Sequence, residues 1–136
     1  MAVRVAAEHT LDRDEILDLY TSVGWNAYTA DPEQLMRALA GSHLVLTARD
    51  DAGALVGLAR TISDGESVCY VQDILVRPDA QRHGVGRALM EELHQCYAHC
   101  RAFVLTTDAD GAAGAFYRTL GLVPHTERGL TAYSRP

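Results

Sequence analysis

The sequence has no apolar run approaching the roughly 20 residues that a membrane-spanning helix needs, so no bilayer span is expected. Its opening, MAVRVAAEHTLDRDE, turns acidic too early for a secretory signal, and a cytoplasmic protein without a membrane partner is expected. There is no basic excess. The 12 Lys and Arg stand against 18 Asp and Glu, a formal net charge of −6, which argues against a nucleic-acid partner and mildly favours a cationic one. Cysteine is scarce and odd in number: Cys69, Cys96 and Cys100 make no disulfide framework. Cys96 and Cys100 stand about one helical turn apart near His94 and His99, but they also continue an apolar stripe, and no metal site is expected. Repeats, low-complexity stretches and linkers are all missing, and 136 residues suit one domain, 1–136, with one core.

What is present alternates in period. VRVAA (3–7) reads as a strand, and DRDEILDLYTSVG as a helix capped by Asp12, with Ile16, Leu19, Tyr20 and Val23 inward. WNAYTA reads as a loop, and DPEQLMRALAG as a second helix with Asp31 as cap, Pro32 in the first turn and Gly41 as stop. Residues 43–49, 54–62 and 67–76 are strand-like, the last apolar enough to be a central strand covered on both faces. A helix follows from Gly84 to about Cys100, its inner stripe Val85, Leu89, Leu93, Cys96 and Cys100. A strand at 101–107 and a helix capped by Asp110 and stopped by Gly121 come next, and the tail after Leu122 has room for two short strands. The order β-αα-βββ-αβ-αβ-β implies an α+β fold: a mixed, mostly antiparallel sheet of six to seven strands with helices on both faces.

The stretch QRHGVGRA, residues 81–88, joins a strand to a helix through two glycines. A helix start leaves amide donors unpaired and carries partial positive charge, and glycine removes the Cβ between those amides and a ligand. Arg82, His83 and Arg87 add local positive charge, an arrangement suited to a pyrophosphate. A P-loop would need a Lys-Ser/Thr pair after the second glycine, which is missing. A dinucleotide fingerprint would need a small residue where Leu89 stands. On physics alone, two glycines at a helix start also fit a plain tight turn.

Together, QRHGVGRA, the preceding DILVRPDA and the later AFYRTLGL (115–122) resemble the GNAT superfamily of acetyl-CoA-dependent N-acetyltransferases, and the element order agrees over the whole chain. The resemblance implies a three-layer fold and an acyltransferase that moves acetyl from acetyl-CoA (coenzyme A) to a primary amine by direct attack in a ternary complex. It implies a cofactor site made by Ile74, Leu75 and Val76 of the fourth strand, Gln81, Arg82, His83, Gly84, Val85, Gly86, Arg87 and Ala88 of the turn, and Asp110, Phe116 and Tyr117. Within it, an amide near Val76 would polarise the thioester and Tyr117 would protonate the departing thiolate. Tyr117 also continues the core stripe of Ala113, Phe116 and Leu120. Two positions depart from the family pattern: Asp110 stands where an asparagine is common, and Leu122 where an aromatic ends the motif.

An alkylamine must lose a proton before it attacks. Asp73 on the fourth strand is a candidate to accept that proton or to bind the ammonium; equally, it could pair with an arginine such as Arg60. Trp25 and Tyr28 could line an acceptor cleft, although a lone tryptophan also suits the core. Tyr133 on the last predicted strand is a further acceptor candidate. A small-molecule amine is the expected acceptor and a homodimer the expected assembly. The alternatives are a non-catalytic acyl-CoA-binding or regulatory domain and a protein N-terminal or lysine acetyltransferase.

Overall fold

The computed structural model describes residues 2–136. They divide into two compact units, the first ending at Leu105 and the second Thr106–Pro136.

The first unit holds a five-stranded sheet in the order β1-β2-β3-β4-β5: β1 Arg4–Ala7, β2 Leu44–Arg49, β3 Leu55–Ser63, β4 Val68–Val76 and β5 Ala102–Leu105. Neighbours are antiparallel except β4 and β5, which run parallel. Helix α1 (Arg13–Ser22) starts where Asp12 accepts the Glu15 amide, and buries Ile16, Leu19 and Tyr20 completely. The stretch expected as a loop contains a short helix, α2 (Asn26–Thr29), before α3 (Pro32–Ala40) begins at its Asp31 cap.

Helix α4 (Val85–Cys96) ends sooner than its apolar period suggests. Its inward row runs Val85, Leu89, Met90, Leu93 and then Tyr97, not Cys96, which is exposed. Tyr97 wins the inner position because its phenol bonds Thr61 at 2.6 Å and His43 at 2.7 Å, so its polar tip is satisfied under the sheet.

Cross-strand partners share a face of a sheet. Leu58 packs with α1 and α3, whereas a Cβ on its neighbour Gly57 would meet Val85 and Leu89 of α4, so helices cover both faces. Strand β4 is not simply buried on both sides. It pairs Val71 with Thr61 but Asp73 with Arg60, leaving Gln72 as an extra residue. This bulge switches faces: Cys69 and Val71 lie with the odd-numbered residues of β3 on the α4 side, and Asp73 and Leu75 with Arg60 and Leu58 on the α1 side. A one-residue irregularity therefore turns a carboxylate toward Tyr20.

In the second unit, helix α5 (Ala113–Thr119) is preceded by Ala112, with no side-chain cap. Asp110 is thus not the predicted cap; the helix begins beyond its reach, and Asp110 is exposed in the preceding turn. The expected tail strands are also missing among the described residues. After a 3-10 turn at His125–Arg128, Gly129 adopts φ 73° and the Leu130 amide returns to the His125 carbonyl at 2.9 Å. Those bonds close a local turn rather than extend a ladder, and Tyr133, placed by sequence on a last strand, is 94% exposed.

Candidate active site

Strands β4 and β5 are paired only over Val68–Val71 and Ala102–Leu105, whereas β4 continues to Val76. Residues 73–76 therefore have β3 on one edge and no β5 partner on the other, and Gln72 is paired on neither edge. This open edge leads through Arg77 and a 3-10 turn at Pro78–Ala80 into the glycine-rich turn. The Gln81 carboxamide donates to the Val76 carbonyl at 3.2 Å, tying the turn to the end of the strand.

The turn itself is left-handed at two places. Arg82 has φ 67° and Gly84 φ 81°, and Gly84 is the N-cap of α4 without a side-chain cap bond. A Cβ at Gly84 would meet nothing within 4 Å, so the helix start opens onto free space. Gln81, Arg82, His83, Gly84 and Arg87 are exposed, Gly86 and Ala88 half-buried, while Val85 points into the core. The turn can supply backbone donors and positive charge to an anion. Ile74 and Val76 are half-buried; Leu75, 4% exposed, belongs to the core and can offer a ligand its main chain only.

Asp73 lies 3% exposed at the centre of a polar network. Arg60 Nε donates to its Oδ2 at 2.5 Å, the Tyr20 hydroxyl donates to the same oxygen at 3.0 Å, and the Tyr28 hydroxyl donates to Oδ1 at 2.7 Å. Arg60 also donates to the Tyr28 oxygen at 3.2 Å and to Ser42 at 3.3 Å, with its guanidinium 5.7 Å from the Tyr28 ring centroid. Burial pulls the Arg60 guanidinium down, but its bonds to Asp73 and Tyr28 outweigh that and hold it above the ordinary arginine value. Burial first, then the Asp73 charge, pushes the Tyr20 phenol far above its usual range. Of the two roles read for Asp73, this geometry supplies the ion pair.

Tyr28 and Trp25 share a cluster with Tyr20, at centroid separations of 5.3 Å (Tyr20–Tyr28), 6.0 Å (Tyr20–Trp25) and 6.1 Å (Trp25–Tyr28). Both pack partly buried against the main core. Tyr28 is engaged by Arg60, Asp73 and Tyr20, which leaves the half-buried Trp25 the freer ring. In the second unit, Phe116 and Tyr117 are half-buried with ring centroids 5.3 Å apart, and burial raises the Tyr117 phenol above its ordinary value, keeping it a proton donor at neutral pH. In the sequence Tyr20 reads only as an inward residue of α1, not as a partner of Asp73, and nothing local marks the bulge at Gln72.

A family model for the acetyltransferase (GNAT) domain matches residues 14–133. A GNAT-family acetyltransferase from Streptococcus pneumoniae TIGR4 superposes with a TM-score of 0.87 at 30% identity, covering 99% of this chain and 98% of that one. An uncharacterized N-acetyltransferase, ycf52, of Pyropia yezoensis is 26% identical over 96% of this chain and 86% of its own length. Serotonin N-acetyltransferase 2, chloroplastic, of Oryza sativa subsp. japonica is 32% identical over 90% of this chain and 63% of its own length. With the strand splay and the glycine turn already in place, these likenesses identify the chain as a member of the GNAT family of acetyltransferases.

Proposed function

We propose that the protein moves an acetyl group from acetyl-CoA to the primary amine of a small molecule, as one N-acetyltransferase domain acting in the cytoplasm as a homodimer. The observation that carries this reading is the open edge of β4 running directly into a left-handed glycine turn and a helix start. A single family model spanning residues 14–133 supports the one-domain reading. The relative named for serotonin supports a small-molecule amine, and an aromatic cluster with the half-exposed Trp25 suits such an acceptor.

Acetyl-CoA supplies an activated acetyl thioester. Amides of residues 82–87 would hold its pyrophosphate, with Arg82 and Arg87 adding charge, while the main chain of Ile74, Leu75 and Val76 would take the pantetheine arm along the unpaired edge. An amide near Val76 would stabilise negative charge on the acetyl oxygen. The transfer forms an N–C bond and breaks the C–S bond; the amine gives one proton to water, and the sulfur would take one from Tyr117, which would regain it from water. Asp73 keeps Arg60, Tyr20 and Tyr28 in place rather than accepting the amine's proton.

Melting the protein with acetyl-CoA, coenzyme A, ATP or NAD, one at a time, tests the reading. A saturable rise with the two coenzyme A species alone, followed by thiol release with an amine, is expected. Binding without thiol release across a broad amine panel would instead indicate a non-catalytic acyl-CoA-binding domain.

A further inference from the structure

The donors and acceptors around Asp73 leave one group turned outward. Arg60 has only donors and the paired carboxylate only acceptors, so Tyr20 and Tyr28 must both donate to Asp73. A phenol carries one proton. With that proton given to Asp73, the Tyr28 oxygen can only accept, which it does from Arg60 at 3.2 Å. Gln72, 3.3 Å away, can therefore meet Tyr28 only through its amide nitrogen. The carboxamide is thereby oriented with its carbonyl oxygen away from Tyr28, and among the described residues that oxygen accepts no hydrogen bond.

The backbone sets this residue apart as well. Gln72 is the bulge residue opposite Arg60 and Thr61, and the β5 ladder ends at the preceding Val71. It has a partner residue in neither ladder, and its side chain is exposed. Bulges re-aim side chains beside functional sites. Here the bulge places an oriented, unsatisfied acceptor at the first residue of the open edge.

We infer that Gln72 is an acceptor-binding residue whose Oε1 receives an N–H of the incoming primary amine and turns the nitrogen lone pair toward the acetyl carbon. The inference rests on the transferase reading. A neutral carbonyl suits this task better than a carboxylate, which would favour the unreactive ammonium and raise its pKa. The Asp73 charge beside it is already matched by Arg60, so the acceptor meets no uncompensated anion there. The proton lost on attack passes to water.

The test uses the full chain with acetyl-CoA and a panel of tryptamine, phenethylamine, histamine and spermidine, following thiol release from pH 6.5 to 9.5. For an amine that is acetylated, Gln72→Ala is expected to lower kcat/KM about tenfold, chiefly through amine KM, with acetyl-CoA KM unchanged within about twofold. Gln72→Glu is expected to move the rising limb of the pH profile toward alkaline pH. Unchanged amine kinetics in Gln72→Ala would overturn the inference and leave the transferase reading standing. It would equally be overturned if Gln72→Ala and Tyr28→Phe lost stability and activity together while Gln72→Glu kept the wild-type pH profile, because Gln72 would then merely prop Tyr28. A wild-type protein that binds acetyl-CoA yet releases no thiol with these four or with a broad panel of further primary amines would overturn both.

Discussion

Replacing Asp73 with asparagine separates the two roles that a buried carboxylate on β4 can play. In the folded protein Asp73 is 3% and Arg60 6% exposed, so neither charge has water to fall back on. Removing one partner of such a pair typically costs about 3–5 kcal/mol, because the other charge stays buried. Asparagine keeps one acceptor oxygen, which can face Arg60, but its amide then confronts the Tyr28 hydroxyl that now donates to Oδ1. We expect a loss near the lower end, about 3 kcal/mol, against a total stability of roughly 5–15 kcal/mol. At roughly 2–8 °C per kcal/mol this is a fall of about 10 °C in Tm, measurable by circular dichroism. The double replacement Arg60→Met with Asp73→Leu should recover only part of that loss: no unpaired charge remains, but the buried Tyr20 hydroxyl loses its acceptor. Assayed well below its Tm, Asp73→Asn should keep the shape of its pH–rate profile and lose less than about tenfold in kcat/KM; losing a proton acceptor would cost roughly 10²–10⁴-fold. An unchanged Tm would refute the ion-pair reasoning, and the disappearance of one limb of the pH profile would return the base role to Asp73.

Other outcomes follow from the same geometry. Gly57→Ala puts a methyl 2.9 Å from Val85 Cγ1, 3.2 Å from the Leu75 carbonyl and 3.3 Å from Leu89 Cδ1; it should cost about 1–3 kcal/mol and weaken acetyl-CoA binding by shifting the start of α4, as calorimetry would show. The Arg49 hydrogen bond, opposed by burial, holds Glu8 below its ordinary 4.5, so its contribution is full above that pH and disappears as pH falls through the lowered value. The gap in Tm between wild type and Glu8→Gln should therefore be open at pH 7 and narrow only once the pH falls below 4.5. Burial, with Cys100 and Cys96 nearby, pushes the Cys69 thiol up to about 12, so iodoacetamide at pH 8 should alkylate Cys96 and Cys100 in the native protein and Cys69 only after unfolding, as peptide masses will report. Tyr117→Phe should lower kcat with little change in acetyl-CoA affinity; full kcat would remove its role as acid.

Local chemistry wrote much of this fold into the sequence. Asp12, Asp31 and Gly41 mark helix ends because capping involves residues within one turn of one another. QRHGVGRA signals its turn for the same reason, since glycine's left-handed freedom and a helix start are properties of a few consecutive residues. The acidic face of the composition and the apolar periods of α1 and β2–β4 were equally legible. Other features depended on distant partners. Tyr97 displaced Cys96 from the inner row of α4 only because Thr61 and His43, distant in sequence, meet its hydroxyl there. The tail's turn bonds decided against two further strands, which no propensity within the tail reveals. Above all, the bulge at Gln72 depends on how β3 and β4 align, and that alignment turns Asp73 from the α4 side toward Arg60, Tyr20 and Tyr28. Side-chain period along a strand is local, but the face it serves is set by the register with another strand, and register belongs to the tertiary structure.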